Sequence, residues 1–230
     1  MKDLVPNLSS SAVTSDRAER HVRPARIADL TAIVAIHERA FARSFLTRLG
    51  PSFLELYYST VLGYHNHIFL VSTQETSVLA FVSGFLEPAG FYKLMKRRSL
   101  QMGVAILRSL LTQPALIRPV LYGSVRVLRN ATAPTHGCCE LSSLAVNPQI
   151  TGQGIGTSLV SAFLDCAWQK NASCVHLTTD ASARANEFYL RLGFRLSSQE
   201  RRSRVRLMNE YTMMRPGGPQ MLDVELPTTG

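Results

Sequence analysis

Hydrophobic residues recur at two spacings along the chain, and these spacings separate predicted helices from predicted strands. Between Leu30 and Phe41 the apolar positions lie three or four residues apart, which predicts an amphipathic helix. A second helical pattern follows Gly50 and Pro51. Short apolar runs bounded by polar turns predict strands. The strand candidates are HVRPA (21–25), HIFLVSTQ (67–74), SVLAFVSGFLE (77–87), CCELSSLAV (138–146) and SCVHLTTD (173–180), with one or two more between 194 and 214.

The C-terminal half of the chain alternates strands and helices closely. The strand at 138–146 leads through a glycine-rich turn into a helix at 157–171. The strand at 173–180 leads into a short helix at 183–192, after which strand patterns return. Strands and helices that mix in this way within one domain predict an α/β (α+β) fold with a mixed sheet.

Residues 88–137 interrupt this pattern and carry most of the excess charge. The stretches 91–111 and 115–129 have the spacing of two basic amphipathic helices joined near Pro114. The formal net charge is +9, yet no acidic residue lies between Glu87 and Glu140. Such a segment favours an anionic partner. Its eight positive residues are Lys93, Lys96, Arg97, Arg98, Arg108, Arg118, Arg126 and Arg129.

The chain ends and the cysteines indicate the environment. Residues 1–20 are polar with mixed charge and are expected to form a flexible tail without a targeting signal, and 215–230 is expected to form a second tail. No apolar run reaches the length of about 18 residues that a membrane span needs. Neither CxxC spacing nor a metal-site histidine accompanies the cysteines, which favours reduced, mostly buried thiols in a cytoplasmic protein. The four cysteines are Cys138, Cys139, Cys166 and Cys174.

Gly152, Gly154 and Gly156 stand at alternate positions between a predicted strand and a predicted helix. A mononucleotide loop would need lysine after its last glycine, and none is present. A dinucleotide fingerprint would need a glycine where Thr157 stands. Two interpretations remain. The glycines form either a backbone-amide cradle for a pyrophosphate at a helix N-terminus, or a tight turn with close helix–strand packing.

The stretch LAVNPQITGQGIGTSLV (144–160) resembles motif A of the Gcn5-related N-acetyltransferases (GNAT), Q/R-x-x-G-x-G/A after a strand ending in V-x-P. One register uses Gly154 and Gly156 and puts Thr151 where arginine or glutamine is usual; the other uses Gln149 with Gly152 and Gly154. NEFYLRLGF (186–194) is similar to motif B of the family, and residues 21–41 are similar to its first strand and helix. The resemblance implies an N-acetyltransferase domain at 21–214, with a GNAT-like mixed, mostly antiparallel sheet flanked by helices and a two-helix insertion at about 88–137.

The same resemblance implies acetyl-CoA as the co-substrate and no metal. Family members hold the pantetheine arm through backbone groups of the strand before the glycine turn and the pyrophosphate through the turn itself. Carried over position by position, the binding residues are Leu144, Ala145, Val146, Thr151, Gly152, Gln153, Gly154, Ile155, Gly156, Thr157 and Asn186.

Two residues are the catalytic candidates. Tyr189 matches the tyrosine that the family often uses to protonate the leaving thiolate, and the alternative for it is a packed core tyrosine. Glu140 is the candidate base, predicted to share a strand face with Ser142 and Leu144, and the alternative for it is a surface glutamate. Packing is favoured over catalysis for His176. The candidates for the acceptor pocket are Arg43, Arg48, Tyr57 and Tyr58.

The implied function is transfer of an acetyl group from acetyl-CoA to the primary amine of a small acceptor by direct attack. The acid-free insertion favours an anionic acceptor. An alternative is a non-catalytic acyl-CoA-binding module whose insertion docks on a membrane surface or on a partner. Binding of nucleic acid or of a ribosomal protein through the basic helices is a third and weaker hypothesis.

Overall fold

The structure, a computed structural model, describes residues 20–112, 114, 137–203 and 206–217. The predicted tail at 1–20 lies outside the described residues except for Arg20, and the tail at 215–230 does so beyond 217. The predicted second insertion helix at 115–129 also lies outside them.

Within the described residues, seven strands form one mixed sheet in the order β1-β2-β3-β4-β5-β7-β6. All neighbouring strands are antiparallel except β4 and β5, which are parallel. The predicted mixed, mostly antiparallel sheet is therefore confirmed. The strands are β1 (Arg20–Pro24), β2 (His67–Gln74), β3 (Ser77–Leu86), β4 (Cys138–Val146), β5 (Cys174–Asp180), β6 (Arg195–Ser203) and β7 (Arg206–Met214).

Helices cover both faces of the sheet and bury two separate apolar clusters against it. One cluster lies under α1, α3, α4 and α5, and we call this side the α1/α3 face. The other lies under α6 and α7 and is called the α6 face. The helices are α1 (Leu30–Ala40), α2 (Phe45–Arg48), α3 (Pro51–Leu62), α4 (Pro88–Arg97), α5 (Ser99–Thr112), α6 (Ile155–Gln169) and α7 (Ala185–Arg191). Short 3-10 turns occupy Ile27–Asp29 and Pro148–Ile150.

Aromatic rings dominate the core of the α1/α3 face. Tyr58 on α3 and Phe81 on β3 are both 0% exposed, and their ring centroids lie 5.2 Å apart. Phe91 on α4 stacks on Phe85 of β3 at 3.9 Å. The first helix of the insertion is therefore part of the domain core, because large aromatic side chains bury enough apolar surface to fix it there.

The helical part of the insertion differs from its prediction. A single helix was expected over 91–111, whereas the chain forms α4 and α5 with a break at Arg98. α4 ends where Arg98 leaves the helical range with φ −90° and ψ 11°, and both helices pack against α3, α4 through Phe91 and α5 through Met102. The Arg98 guanidinium fixes the break by donating to Thr60 Oγ1 at 3.2 Å.

Two of the cysteines are not the reduced thiols that the sequence suggested. Cys138 and Cys174 are register partners at the start of β4 and β5, and a disulfide joins them with a Cα–Cα distance of 4.7 Å. They are 36 residues apart in sequence, so only the pairing of β4 with β5 brings them together. Cys139 is a free buried thiol, and Cys166 is a free, half-buried one.

A buried histidine on α1 gives a prediction for stability. His37 is 2% exposed, its Nδ1 lies 2.7 Å from the Tyr58 hydroxyl, and burial lowers its pKa from 6.5 to about 4. The unfolded chain takes up this proton below pH 6.5 and the folded chain only near pH 4, so stability is lost as the pH falls between these values. We expect the His37 contribution to the free energy of unfolding to fall by about 3 kcal/mol across this window.

Urea denaturation at pH 7 and at pH 4.5 measures this loss. A His37→Gln variant should show a smaller loss over the same interval. The pKa of Asp29 is also lowered, because its carboxylate accepts a hydrogen bond from Arg23. Its effect on stability falls below pH 3.8, the ordinary value, and so lies outside this interval. Equal losses in the wild type and the variant would contradict the assignment to His37.

Candidate active site

A cleft opens between β4 and β5, which pair over only part of their lengths. Their parallel pairing covers three residue pairs, from Cys138–Cys174 to Glu140–His176. β4 then continues to Val146 and β5 to Asp180, and the described residues show no further pairing between the two strands. The later half of β4 therefore has one edge whose backbone groups lack a β5 partner, and such groups can bind a ligand.

A bulge at Ser142 changes which side chains face which helix. Ser143 pairs with Ser83 and Leu141 pairs with Gly84, so Ser142 is an extra residue on β4. A bulge shifts the alternation of faces beyond it. The expectation that Glu140, Ser142 and Leu144 share a face is consequently wrong for Leu144. Leu144 packs with the core of the α6 face, while Glu140 and Ser142 point toward α4 and α3.

The glycine turn leaves several N–H groups free at the start of α6. Gly152 and Gly154 have φ values of 80° and 76°, which favour glycine, and Gly154 is the N-cap of the helix. Ser158 is the first residue of α6 whose N–H makes a helical hydrogen bond, and it donates to the N-cap oxygen Gly154 O at 3.0 Å. The N–H groups of Ile155, Gly156 and Thr157 precede it and have no intrahelical acceptor. A turn of this kind attracts an anion.

The third glycine has a different role from the other two. Gly156 lies inside α6 without a positive φ, and a Cβ there would lie 3.5 Å from Phe188 Cζ and 3.7 Å from Val146 Cγ2. Gly156 therefore permits close packing of α6 against α7 and β4.

Two further binding candidates lie on the exposed side of the same turn. Thr151 is exposed and extended, at the end of the 3-10 turn. Gln153 is also exposed, and its Oε1 accepts a hydrogen bond from the guanidinium of Arg20 on β1. The contact with Arg20 brings a positive charge to the turn and adds to its attraction for an anion.

Tyr189 lies on α7 and is 6% exposed, within the core of the α6 face. Its ring makes edge contacts with Phe188 at 5.1 Å and with Phe194 at 5.6 Å. Burial raises the pKa of its hydroxyl well above the ordinary value of 10.0. The phenol therefore keeps its proton at neutral pH, as a proton donor must.

Residues 31–194 match the sequence model of a known protein family, which is described as the acetyltransferase (GNAT) family. The match covers more than half of the chain. The chain belongs to the GNAT family.

Solved structures share the fold of this GNAT acetyltransferase. An N-acetyltransferase from Staphylococcus aureus Mu50 aligns with a TM-score of 0.55 at 17% identity, over 85% of this chain and 98% of that one. The ribosomal-protein-S18-alanine N-acetyltransferase from Escherichia coli aligns with a TM-score of 0.55 at 15% identity, over 91% of this chain and 100% of that one. A GNAT family acetyltransferase from Brucella melitensis, solved in complex with acetyl-CoA, aligns with a TM-score of 0.52 at 18% identity. The alignment covers 89% of this chain and 92% of that one. No match was found among curated proteins.

Asn186 of this GNAT acetyltransferase holds the loop between β5 and α7 together. Its Nδ2 donates to the carbonyls of Asp180, Ala181 and Ala183 at 3.0, 3.0 and 2.7 Å. Its Oδ1 accepts from the hydroxyl of Thr179. The side chain therefore has a structural role in this loop, and its contact with coenzyme A stays a prediction.

The α1/α3 face of this acetyltransferase carries a polar cluster on β4, beside the closed end of the cleft. The Tyr92 hydroxyl on α4 donates to the two Glu140 carboxylate oxygens at 3.0 and 3.3 Å. The Tyr57 hydroxyl on α3 lies 2.7 Å from Ser142 Oγ, at the bulge. Helices of the insertion and of the N-terminal part thus meet β4 where the candidate base lies.

His176 belongs to the same polar cluster. Its strand neighbours Val175 and Leu177 are buried on the α6 face, so His176 points to the other face beside its register partner Glu140. Its Nδ1 lies 3.6 Å from Glu210 Oε1, and its buried Nε2 has no partner among the described residues. The sequence favoured packing for His176, whereas the fold places it next to the candidate base.

The sequence did not identify Tyr92 as a site residue, because it lies in the insertion, 48 positions from Glu140. Its only sequence signal is an aromatic pair, Phe91 and Tyr92, at the start of a basic helix.

The candidates for the acceptor pocket lie in different environments. Tyr58 is fully buried and hydrogen-bonded to His37. The pocket candidates Arg43 and Arg48 are exposed. The described residues contain no cluster of side chains suited to a metal ion.

Proposed function

We propose that this protein transfers the acetyl group of acetyl-CoA to the primary amine of a small acceptor, within a domain that spans about 21–214. The observation that carries the proposal is the turn at Gly152 and Gly154, which leaves free N–H groups at the start of α6 next to an unpaired edge of β4. The turn suits the pyrophosphate of coenzyme A. The unpaired edge, with Leu144, Ala145 and Val146, suits the amide groups of its pantetheine arm.

The Ser142 bulge supports a position for the reacting thioester. Bulges re-aim backbone groups next to active sites, and this one lies on the cleft strand between Glu140 and the unpaired end of β4. A backbone N–H aimed at the thioester carbonyl would stabilise the negative charge that develops on its oxygen during attack. The acceptor would approach from the α1/α3 face, where Tyr57 and Tyr92 contact β4.

Proton transfer in the proposal uses one residue on each side of the cleft. The amine nitrogen attacks the thioester carbonyl carbon, and its proton passes to Glu140 directly or through one water. The carbon–sulfur bond then breaks, and the sulfur takes a proton from the Tyr189 hydroxyl. Tyr92 holds the Glu140 carboxylate through its hydroxyl, so we assign Tyr92 as a positioning residue.

Glu140→Gln tests the base. We expect kcat/KM at pH 7 to fall roughly ten- to a thousandfold, because a positioned base contributes within this range. The loss should shrink at higher pH, where the acceptor amine is already neutral. Tyr92→Phe should give a smaller loss with the same dependence on pH, since it removes only the hydrogen bond that orients the carboxylate. Steady-state release of free thiol measures both.

Glu187→Gln is the matched control, because Glu187 is a glutamate on the surface of α7 whose side chain is 83% exposed. It should leave the rate and the pH profile unchanged. A Glu140→Gln enzyme with the wild-type rate and profile would remove Glu140 from the mechanism and leave acetyl transfer itself intact.

The acceptor is proposed to carry negative charge. α4 places Lys93, Lys96 and Arg97 on the exposed side of the helix that also carries Tyr92. Positive charge beside a cleft raises the local concentration of an anionic substrate. A mass-spectrometric screen of amines with acetyl-CoA tests the function. Acetylated anionic amines are expected, whereas tight binding of acetyl-CoA without any product would contradict catalysis and favour a binding module.

A further inference from the structure

α5 carries an apolar stripe on the side that faces away from the domain core. Leu100, Val104, Leu107 and Leu111 are 81%, 67%, 55% and 78% exposed, and nothing in the described part of the chain covers them. Their spacing of four, three and four residues places them in one row along the helix. The opposite side of α5, with Met102, Ile106 and Leu110, packs against the α1/α3 core. The stripe is therefore additional to the apolar face that holds the helix in the fold.

Scattered exposed aliphatic residues need no explanation, but a continuous row does. The other large exposed apolar residues among those described are isolated on four different elements: Val22, Ile27, Leu190 and Leu196. The row on α5 extends over most of a helix of 14 residues, which is about 21 Å long. A row of this length indicates a surface that the helix contacts along its whole side.

The charge next to the stripe restricts what can cover it. Lys96 and Arg97 are exposed at the end of α4, directly before Leu100. No acid occurs from 88 to 139. The occupant must therefore be apolar and negatively charged at the same time. An anionic phospholipid surface has both properties, with headgroups above and acyl chains below the level at which an amphipathic helix lies.

The same charges disfavour the other two occupants. A symmetric dimer through α5 would bring the cations of both copies together at one interface, and like charges repel. Residues 115–136 of this chain contain Arg118, Arg126 and Arg129 and no acid, so this segment offers no negative charge to compensate Lys96 and Arg97.

We propose that the α5 stripe docks this enzyme on the surface of an anionic phospholipid membrane, with Leu100, Val104, Leu107 and Leu111 in the interface and Lys96 and Arg97 on the headgroups. The contact is peripheral, because no helix among the described residues has the length and apolar content to cross a bilayer. The proposal does not depend on acetyl transfer, and its test measures binding only.

Flotation of the full-length protein with lipid vesicles tests the proposal. Vesicles of equal parts phosphatidylglycerol and phosphatidylcholine should carry the protein upward, and pure phosphatidylcholine vesicles should carry much less. Added salt should weaken the binding, since screening shortens the reach of the charges. Lys96→Gln with Arg97→Gln should lower the partition coefficient roughly tenfold or more, because each cation near an anionic surface raises that coefficient about fivefold.

The stripe itself is tested by the double variant Val104→Ser with Leu107→Ser. It should lower partitioning roughly tenfold or more, because two inserted aliphatic side chains are lost. Leu190→Ser with Leu196→Ser is the matched control, since these side chains are 51% and 48% exposed on other elements. Arg39→Gln with Arg195→Gln is the control for charge, since both arginines are exposed and lie on α1 and β6. Both control proteins should float like the wild type.

Three results would overturn the proposal. The first is no uptake by the anionic vesicles, and the second is equal uptake by the stripe variant and the wild type. The third is a concentration-dependent dimer in sedimentation that disappears in the stripe variant, because the stripe would then bind a second copy. Far-ultraviolet circular dichroism confirms that each variant is folded, and all substituted positions are on the surface.

Discussion

Tyr189→Phe is expected to lower kcat roughly ten- to a thousandfold while the Kd for acetyl-CoA changes by less than about threefold. The substitution removes only the hydroxyl. The ring still fills its place between Phe188 and Phe194 in the core of the α6 face, so the fold and the coenzyme site should be retained. Loss of rate without loss of binding separates a proton donor from a packed side chain, because a packing defect would affect stability and affinity as well.

Steady-state thiol release gives kcat in this experiment, and calorimetry gives the Kd. Tyr211→Phe is the matched control, since Tyr211 is a second tyrosine of the same core and is 2% exposed. Its hydroxyl accepts a hydrogen bond from Asn209 at 3.3 Å, so some stability should be lost but no turnover. If Tyr189→Phe retains turnover within a factor of two, Tyr189 is a packing residue and the proton for the thiolate has another source.

Gly154→Val should raise the Kd for acetyl-CoA by roughly a hundredfold. A β-branched residue at φ 76° is strained by about 1–2 kcal/mol, and the turn would relax away from the geometry that aims its N–H groups. Charge-assisted hydrogen bonds contribute about 1.5–3 kcal/mol each, so loss of one or two accounts for the expected change.

Two glycine variants control for the general effects of this substitution. Gly217→Val imposes similar backbone strain, since Gly217 has φ 73° and open space around an added Cβ, but it lies away from the turn. It should bind acetyl-CoA like the wild type. Gly156→Ala adds a Cβ at ordinary contact distance from Phe188 and Val146 and should change the Kd only a few-fold. Unchanged calorimetric affinity in a folded Gly154→Val protein would eliminate the turn as the coenzyme site.

The features that the sequence predicted well are those encoded locally. Strands β2 and β4 begin and end at the predicted residues, because alternating or continuous apolar runs bounded by polar turns need no distant partner to be recognised. The glycine turn was found for the same reason, since glycine is the residue type that most readily adopts the positive φ seen at Gly152 and Gly154. The mixed sheet followed from the order of these local elements.

The features that the sequence missed depend on contacts between distant segments. The bulge at Ser142 exists only in the pairing of β4 with β3, and without it the faces of Glu140 and Leu144 could not be assigned. The disulfide between Cys138 and Cys174 depends on the register of β4 with β5. Neither pairing leaves a local pattern, because the residues involved are ordinary strand residues.

The three-pair ladder between β4 and β5 is the only direct backbone link between the two halves of the described sheet. Glu140 belongs to the half on one side of it, and Tyr189 follows β5 on the other side, so the proposed base and acid come from different halves. Buried residues of the ladder, such as Cys139 and Val175, therefore help to set the separation of the proposed base and acid, although both lie in the core.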